Sequence, residues 1–418
     1  MSTKEKISMK QPIIAFIVLA ILGAYAVYAG SIDVNLAVFL LTGLAAGYIL
    51  TRSRYGFAGC TKRLYILGEG SLNKALLIMF ALILIVNTGL HFGADFTGAK
   101  IPGISSVHFF HIGTILGGFI FGIGMTMAGG CASGTLADLG EGAGRAAIAL
   151  IFFIFGSIPG AMARYAIDKS AIGKIGAKIY LPDYLGYPGT LALSLIALVL
   201  LYRVVRKYED MRKKEGTYTP TVYEPDELPL SEDKPFKLFS YETYHKFFME
   251  RWSFVTGGIL LAFLFIFILI TTGHSWGVTG GFTNWGVAFL QMLGVEFTSP
   301  ALAGSVATAN KGVLNDPLGL RNFGIIVGAA IAMLLAGRFK FDLDFKLKDI
   351  IIYAIGGTFM GFGARLAGGC NIGAMLSGIG NFSLSGWIFT AALMCGGITG
   401  LKLFEGRVNI IPPNRYKR

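Results

Sequence analysis

Two of the chain's four cysteines sit in copies of one motif, and a thiol at a repeated position is the chain's clearest prospect for chemistry. Residues 117–134 read GGFIFGIGMTMAGGCASG and residues 356–373 read GGTFMGFGARLAGGCNIG. A shift of 239 positions lays Cys131 on Cys370, and nine of the eighteen aligned residues are then identical. Each copy is an apolar run with small residues spaced for packing, then Ala-Gly-Gly, then cysteine. Paired glycines, Gly129-Gly130 and Gly368-Gly369, free the backbone and break a helix. The cysteine is therefore expected to open a new half-helix, whose unpaired N–H groups carry partial positive charge. A thiol beside such donors suits an anion with affinity for sulfur. A neutral S–H donates a weak hydrogen bond to it, whereas a thiolate would repel it and bind metal instead. Ser133 and Asn371, one or two places past the cysteines, are candidate further donors or simple helix caps. Gly134 and Gly373 complete the motifs. The plainer alternative is two small buried residues at helix contacts.

The other candidates are weaker. Cys60 closes a glycine-rich turn after Gly59, but its repeat counterpart is Gly281, so packing explains it as well as function does. Cys395 lies in the middle of an apolar run and reads as core. Met125 and Met127 would add soft lining near Cys131, or plain core. No C-x-x-C pair occurs, and the five histidines, including His108 and His111, do not cluster with cysteines, so no metal and no cofactor is expected. Arg365 is a candidate for attracting an anion, while Asp138 and Glu141 are expected to face a loop. Nothing here resembles a catalytic constellation, and the chain is read as a non-enzyme.

Elements that hold two such breaks must be embedded. The 418 residues are 54% hydrophobic and 14% charged, against roughly 25% charged in soluble domains. This excludes an ordinary soluble protein and predicts an all-α polytopic membrane protein. Glycine, at 58 residues, lets helices approach closely in lipid and tolerates interruptions. Apolar runs predict ten spans, over 11–30, 34–51, 73–90, 108–128, 145–164, 187–205, 252–272, 320–337, 349–367 and 385–404. The first is read as an uncleaved span rather than a signal peptide.

The net charge of +12 is assigned to cytoplasmic loops and not to nucleic-acid binding. Arg52, Arg54, Lys62, Arg63, Arg338, Lys340 and the tail then lie inside, with both termini cytoplasmic. Residues 207–250 (with EPDELPLSEDKP) read as a solvated connector. Tyr55–Cys60 aligns with Trp276–Gly281, so spans two to five match spans seven to ten. One helix between the sets inverts the second copy. The chain divides into a first span (1–30), repeat one (31–166), a bridging region (167–206), a linker (207–250), repeat two (251–404) and a tail (405–418).

AGGCASG and AGGCNIG, with RYGFAGC upstream, resemble the YeeE/YedE family of sulfur-transport membrane proteins across most of 31–404. The resemblance implies an hourglass-like helical protein with short re-entrant helices and inverted halves. It implies import of thiosulfate across the cytoplasmic (inner) membrane, with Cys60, Cys131 and Cys370 lining the path. It also implies a possible cytoplasmic sulfur carrier of the TusA type, and some relatives are tied to selenium. The long linker and Cys395 depart from a compact importer. Alternatives are a selenium-compound transporter, a membrane thiol or persulfide relay enzyme, and a structural partner of a carrier.

Overall fold

The computed structural model describes residues 9–230, 237, 240–408 and 410–413. Among them, ten helical stretches are long and apolar enough to cross a bilayer, one for each span expected from the sequence. The chain opens with α1 (Lys10–Ile32), α2 (Val34–Ser53), a short α3 (Phe57–Lys62) that continues as a π-helical turn, and α4 (Ser71–Phe96). Helices α5 (Ile112–Ala128) and α6 (Ala132–Gly140) meet at the first break, before α7 (Gly144–Lys169) and α8 (Pro182–Lys214). A single turn, α9 (Tyr241–Tyr244), precedes α10 (Phe254–Thr272), α11 (Thr279–Met292), α12 (Ala303–Asn310) and α13 (Pro317–Leu335). Helix α14 (Leu347–Ala367) ends at the second break, where a π-helical turn (Asn371–Leu376) leads into α15 (Ser377–Gly380) and then α16 (Leu384–Phe404). The fold is that of an all-α polytopic membrane protein.

Lipid supplies no hydrophobic drive between helices, so close backbone approach must hold them together. The centre is the pair α5 and α14. A Cβ on Gly117 would stand 2.6 Å from the Gly363 carbonyl oxygen, and one on Gly124 would stand 2.6 Å from that of Gly356. The repeat shift turns 117 into 356 and 124 into 363. Each contact is thus the image of the other, as a twofold axis between two antiparallel helices requires. The flanks obey the same rule. Gly118 and Gly122 seat α5 on α16, while their images Gly357 and Gly361 seat α14 on α7. Likewise α2 packs on α13 as α10 packs on α4. Partners are traded between halves, the signature of an inverted duplication.

Two expectations fail here. Cys395 is exposed on α16 and not part of the core. An apolar helix in lipid has an apolar outer face too, so hydropathy could not separate the two sides.

Nor are the described residues of the 207–250 stretch (207–230, 237 and 240–250) wholly a solvated connector; residues 231–236 and 238–239 lie outside the described residues. Helix α8 runs on to Lys214, and Glu209, Arg212, Thr217, Glu227 and His245 are all buried. Glu227 lies 2.8 Å from Arg54, 3.2 Å from Arg338 and 3.8 Å from Arg251. Arg212 donates to the carbonyls of Tyr65 (2.9 Å) and Ile66 (3.0 Å), and the Thr219 N–H donates to Leu67 O at 2.8 Å. The segment is a strap across the face that carries both ends of the chain. Its composition looked solvated because its charges have partners in distant loops.

Candidate functional site

Helix α5 stops at Ala128 because Gly129 takes φ +78°, a left-handed conformation that side chains disfavour. Gly368 does the same after α14, at φ +89°. In the first break Cys131 is the N-cap of α6, and its Sγ accepts the Gly134 N–H at 3.4 Å. The cysteine itself caps the half-helix. Ser133, expected as a cap or donor, lies 3.5 Å from that sulfur. In the second break Cys370 holds the N-cap place before the π-helical turn, with the backbone N–H groups of Ile372 and Gly373 within reach of its sulfur. The side-chain oxygen of Asn371 is buried and has no hydrogen-bond partner among the described residues.

All three thiols are enclosed: Cys60 is 3% exposed, Cys131 1% and Cys370 1%. Cys131 lies within electrostatic reach of both Cys60 and Cys370. The structure therefore gathers cysteines that are far apart in sequence, and neither Cys131 nor Cys370 faces lipid. Cavities reach two of them, Cys131 and Cys60. A basin of about 420 Å³ opens over Cys131 on the face bearing the termini, floored by Gly129, Gly130 and Gly134. A crevice of about 240 Å³ between α3, α4, α8 and α16 touches Cys60, Asn73 and Asn371 within mostly apolar walls. A larger apolar cavity of about 570 Å³ between α1, α11 and α13 has no thiol or charged residue in its lining.

The basin's electrostatics were not foreseen. Arg54, Lys62, Arg63 and Arg145 line it, with Asp138 as the acid. These cations come from the turn after α2, the end of α3 with the π-helical turn that continues it, and the start of α7. In sequence they read only as topological signals. Asp138 and Glu141 were expected to face a loop. Asp138 pairs with Arg145 at the start of α7 at 2.6 Å, and Glu141 with Arg54 of the turn after α2 at 3.5 Å. The basin rim is pinned from outside. Arg63 donates to Thr221 of the strap, and Lys62 donates to the Ile410 carbonyl of the C-terminal tail.

On the opposite face, His111 is the N-cap of α5: its Nδ1 accepts the Gly113 N–H at 2.8 Å, and its Nε2 meets Asp168 at 2.8 Å. That is a structural role. Arg365 lies close to Arg164 near the second break, within electrostatic range and with no acid acting on it. Met125 and Met127 are buried, and Met125 also lines the basin. Among the described residues, no three His, Cys, Asp or Glu side chains gather as metal ligands would.

Comparison with known proteins places this arrangement. The profile described as "Sulphur transport" matches residues 52–399, which include all three buried cysteines. The chain is similar to a protein named thiosulfate transporter TsuA from Spirochaeta thermophila, 28% identical over 381 residues, covering 86% of this chain and 96% of the relative. It is likewise similar to the thiosulfate transporter TsuA of Escherichia coli, 27% identical over 369 residues, covering 85% and 91%. A protein named probable transporter YedE, also from Escherichia coli, is 34% identical over 174 residues, 40% of each chain. The match spans well over half of the sequence, and the chain belongs to the sulphur transport family.

Proposed function

We propose that this protein imports thiosulfate, or a closely related sulfur-containing anion, across the cytoplasmic membrane along a path formed by Cys60, Cys131 and Cys370. The observation that carries the reading is the antiparallel pair α5 and α14, each ending in a thiol-bearing break, with a cationic basin over the first of the two breaks. The names of the two long-matching relatives support the substrate. The face with the termini is assigned to the cytoplasm, because Arg52, Arg54, Lys62, Arg63 and Arg338 lie there. The Cys131 end is then the exit and the Cys370 end the entrance.

Each part of the path has a physical task. At the breaks, α6 and the π-helical turn present N–H groups freed by the interruption, and these favour an anion. Sulfhydryl donors add hydrogen bonds that a polarizable terminal sulfur accepts, without fixed charge to trap it. Dry walls around Cys60 keep those weak bonds from competing with water. Arg54, Lys62 and Arg63 then draw the anion into the basin. A TusA-like sulfur carrier would collect it there.

Uptake of labelled thiosulfate by proteoliposomes containing this chain alone tests the proposal. Uptake is expected from the parent and is expected to be lost in Cys60→Ala, Cys131→Ala and Cys370→Ala. Full uptake by all three variants would reduce the thiols to packing. Stronger competition by a selenium oxyanion than by sulfite would reassign the substrate. Sulfur retained on a cysteine, seen by intact mass, would instead indicate a covalent relay.

A further inference from the structure

A broken helix leaves its last carbonyls without partners. At both breaks the same helix supplies the missing donor. Arg145 Nη1 donates to the carbonyl of Ala128, the last residue of α5, at 3.2 Å. Arg164 Nη1 donates to the carbonyl of Leu366, the last residue but one of α14, at 3.1 Å. Both arginines belong to α7, one near its start and one near its end. Each lies against the left-handed glycine of its break. A Cβ on Gly129 would stand 3.0 Å from Arg145 Nη1, and one on Gly368 would stand 2.6 Å from Arg164 Nη1. Each also engages an aspartate, Arg145 with Asp138 at 2.6 Å and Arg164 with Asp168 at 3.6 Å. Nineteen residues of helix separate the two guanidinium groups, about 28 Å at 1.5 Å per residue, close to the roughly 30 Å depth of a bilayer's hydrocarbon.

We propose that Arg145 and Arg164 are positioning residues that hold the two thiol-bearing breaks open, and that α7 thereby ties both ends of the path into one rigid unit. The sequence repeat does not supply this arrangement, because one helix of the first half serves both breaks. The planar fork of arginine is what lets one side chain hold a carbonyl and a carboxylate together, which lysine's single ammonium does less well. Helix α7 is anchored for the task. Its Gly156 and Gly160 lie against the backbone of Thr358 and Phe362 on α14, so it cannot slide without moving the second break.

This inference rests on the transport reading, and its test separates the two. Arg145→Lys, Arg145→Gln, Arg164→Lys and Arg164→Gln are compared in proteoliposome uptake. The rate at which a small thiol reagent modifies Cys131 through the basin is read in parallel by mass spectrometry. Lysine is expected to fail as glutamine does, with maximal uptake falling about tenfold and KM changing less than about twofold. Both Arg145 variants are expected to change the Cys131 labelling rate at least about threefold, a readout that needs no transport. If the glutamine variants do not fold, the lysine variants decide. Lysine variants with parental maximal uptake and parental labelling, or a loss confined to KM, would overturn the inference and leave the arginines as mere attractors. A parent that moves no thiosulfate would sink the transport reading, and the labelling rates alone would then decide whether the arginines hold the breaks.

Discussion

At the level of single residues, Cys131 does two jobs that substitution can separate. Its sulfur caps α6 through the Gly134 N–H, and in the proposed path its S–H is the donor to the anion. Serine keeps a capping oxygen, so Cys131→Ser is expected to unfold within about 0.5 kcal/mol of the parent, while Cys131→Ala costs about 1 kcal/mol. Thermal melts in detergent measure the difference, and a serine variant as unstable as alanine would remove the cap from the account. Arg321 offers a second test. It is 1% exposed, stacks on Phe39 at 3.7 Å, and its guanidinium has no hydrogen-bond partner among the described residues. An unpaired buried cation is destabilising, so Arg321→Met is expected to gain about 1 kcal/mol or more in the same melts. A loss of stability would mean that the cation has a partner the contacts do not show. The repeated Gly-Gly-Cys was legible because the motif occurs twice. Arg321 and Arg145 were not, since a lone arginine beside an apolar run reads as a loop charge whether or not it folds inward.

At the level of elements, the strap between the halves carries the strongest pH prediction. Burial alone would raise the Glu227 carboxyl, but Arg54, Arg338 and Arg251 outweigh it and hold the group below the usual carboxylate range. A lowered carboxylate pKa stabilises the fold fully above the unfolded value of about 4.3. That contribution fades only as pH falls through the still lower folded value. The strap is thus expected to resist proteolysis across neutral pH and to become cleavable within 215–226 only in strong acid. In Glu227→Gln the charge is gone at every pH, and cleavage is expected at neutrality, with a cost of about 3 kcal/mol from Arg251 and Arg338, buried and half-buried, left short of a counter-charge. Equal protease resistance in parent and variant at pH 7 would show that the strap is held by Arg212 and the backbone bonds alone. Hydropathy found every spanning helix, because length and apolarity are local properties. The strap escaped it because its burial depends on Arg54, Arg251 and Arg338, which arrive from elsewhere in the chain.

At the level of the whole molecule, an even number of crossings puts both ends on one face. Tags placed before α1 and after α16 are therefore expected to react from the same side of sealed vesicles, the cytoplasmic one, and reaction from opposite sides would break the assignment. The inverted halves were legible from the 239-residue shift, whereas the antiparallel seating of Gly117 on Gly363 had to be seen. The basin has one further result for turnover. Of the four cations around the basin, Arg54 is paired with Glu141 and Glu227, Arg63 with Glu69 and Arg145 with Asp138, so together they form only a shallow electrostatic trap for a doubly charged traveller. On the proposed function, departure and not arrival is then expected to set the pace. Raising salt on the cytoplasmic side alone should quicken net flux until screening at about 10 Å, the Debye length near 0.1 M, flattens the trap.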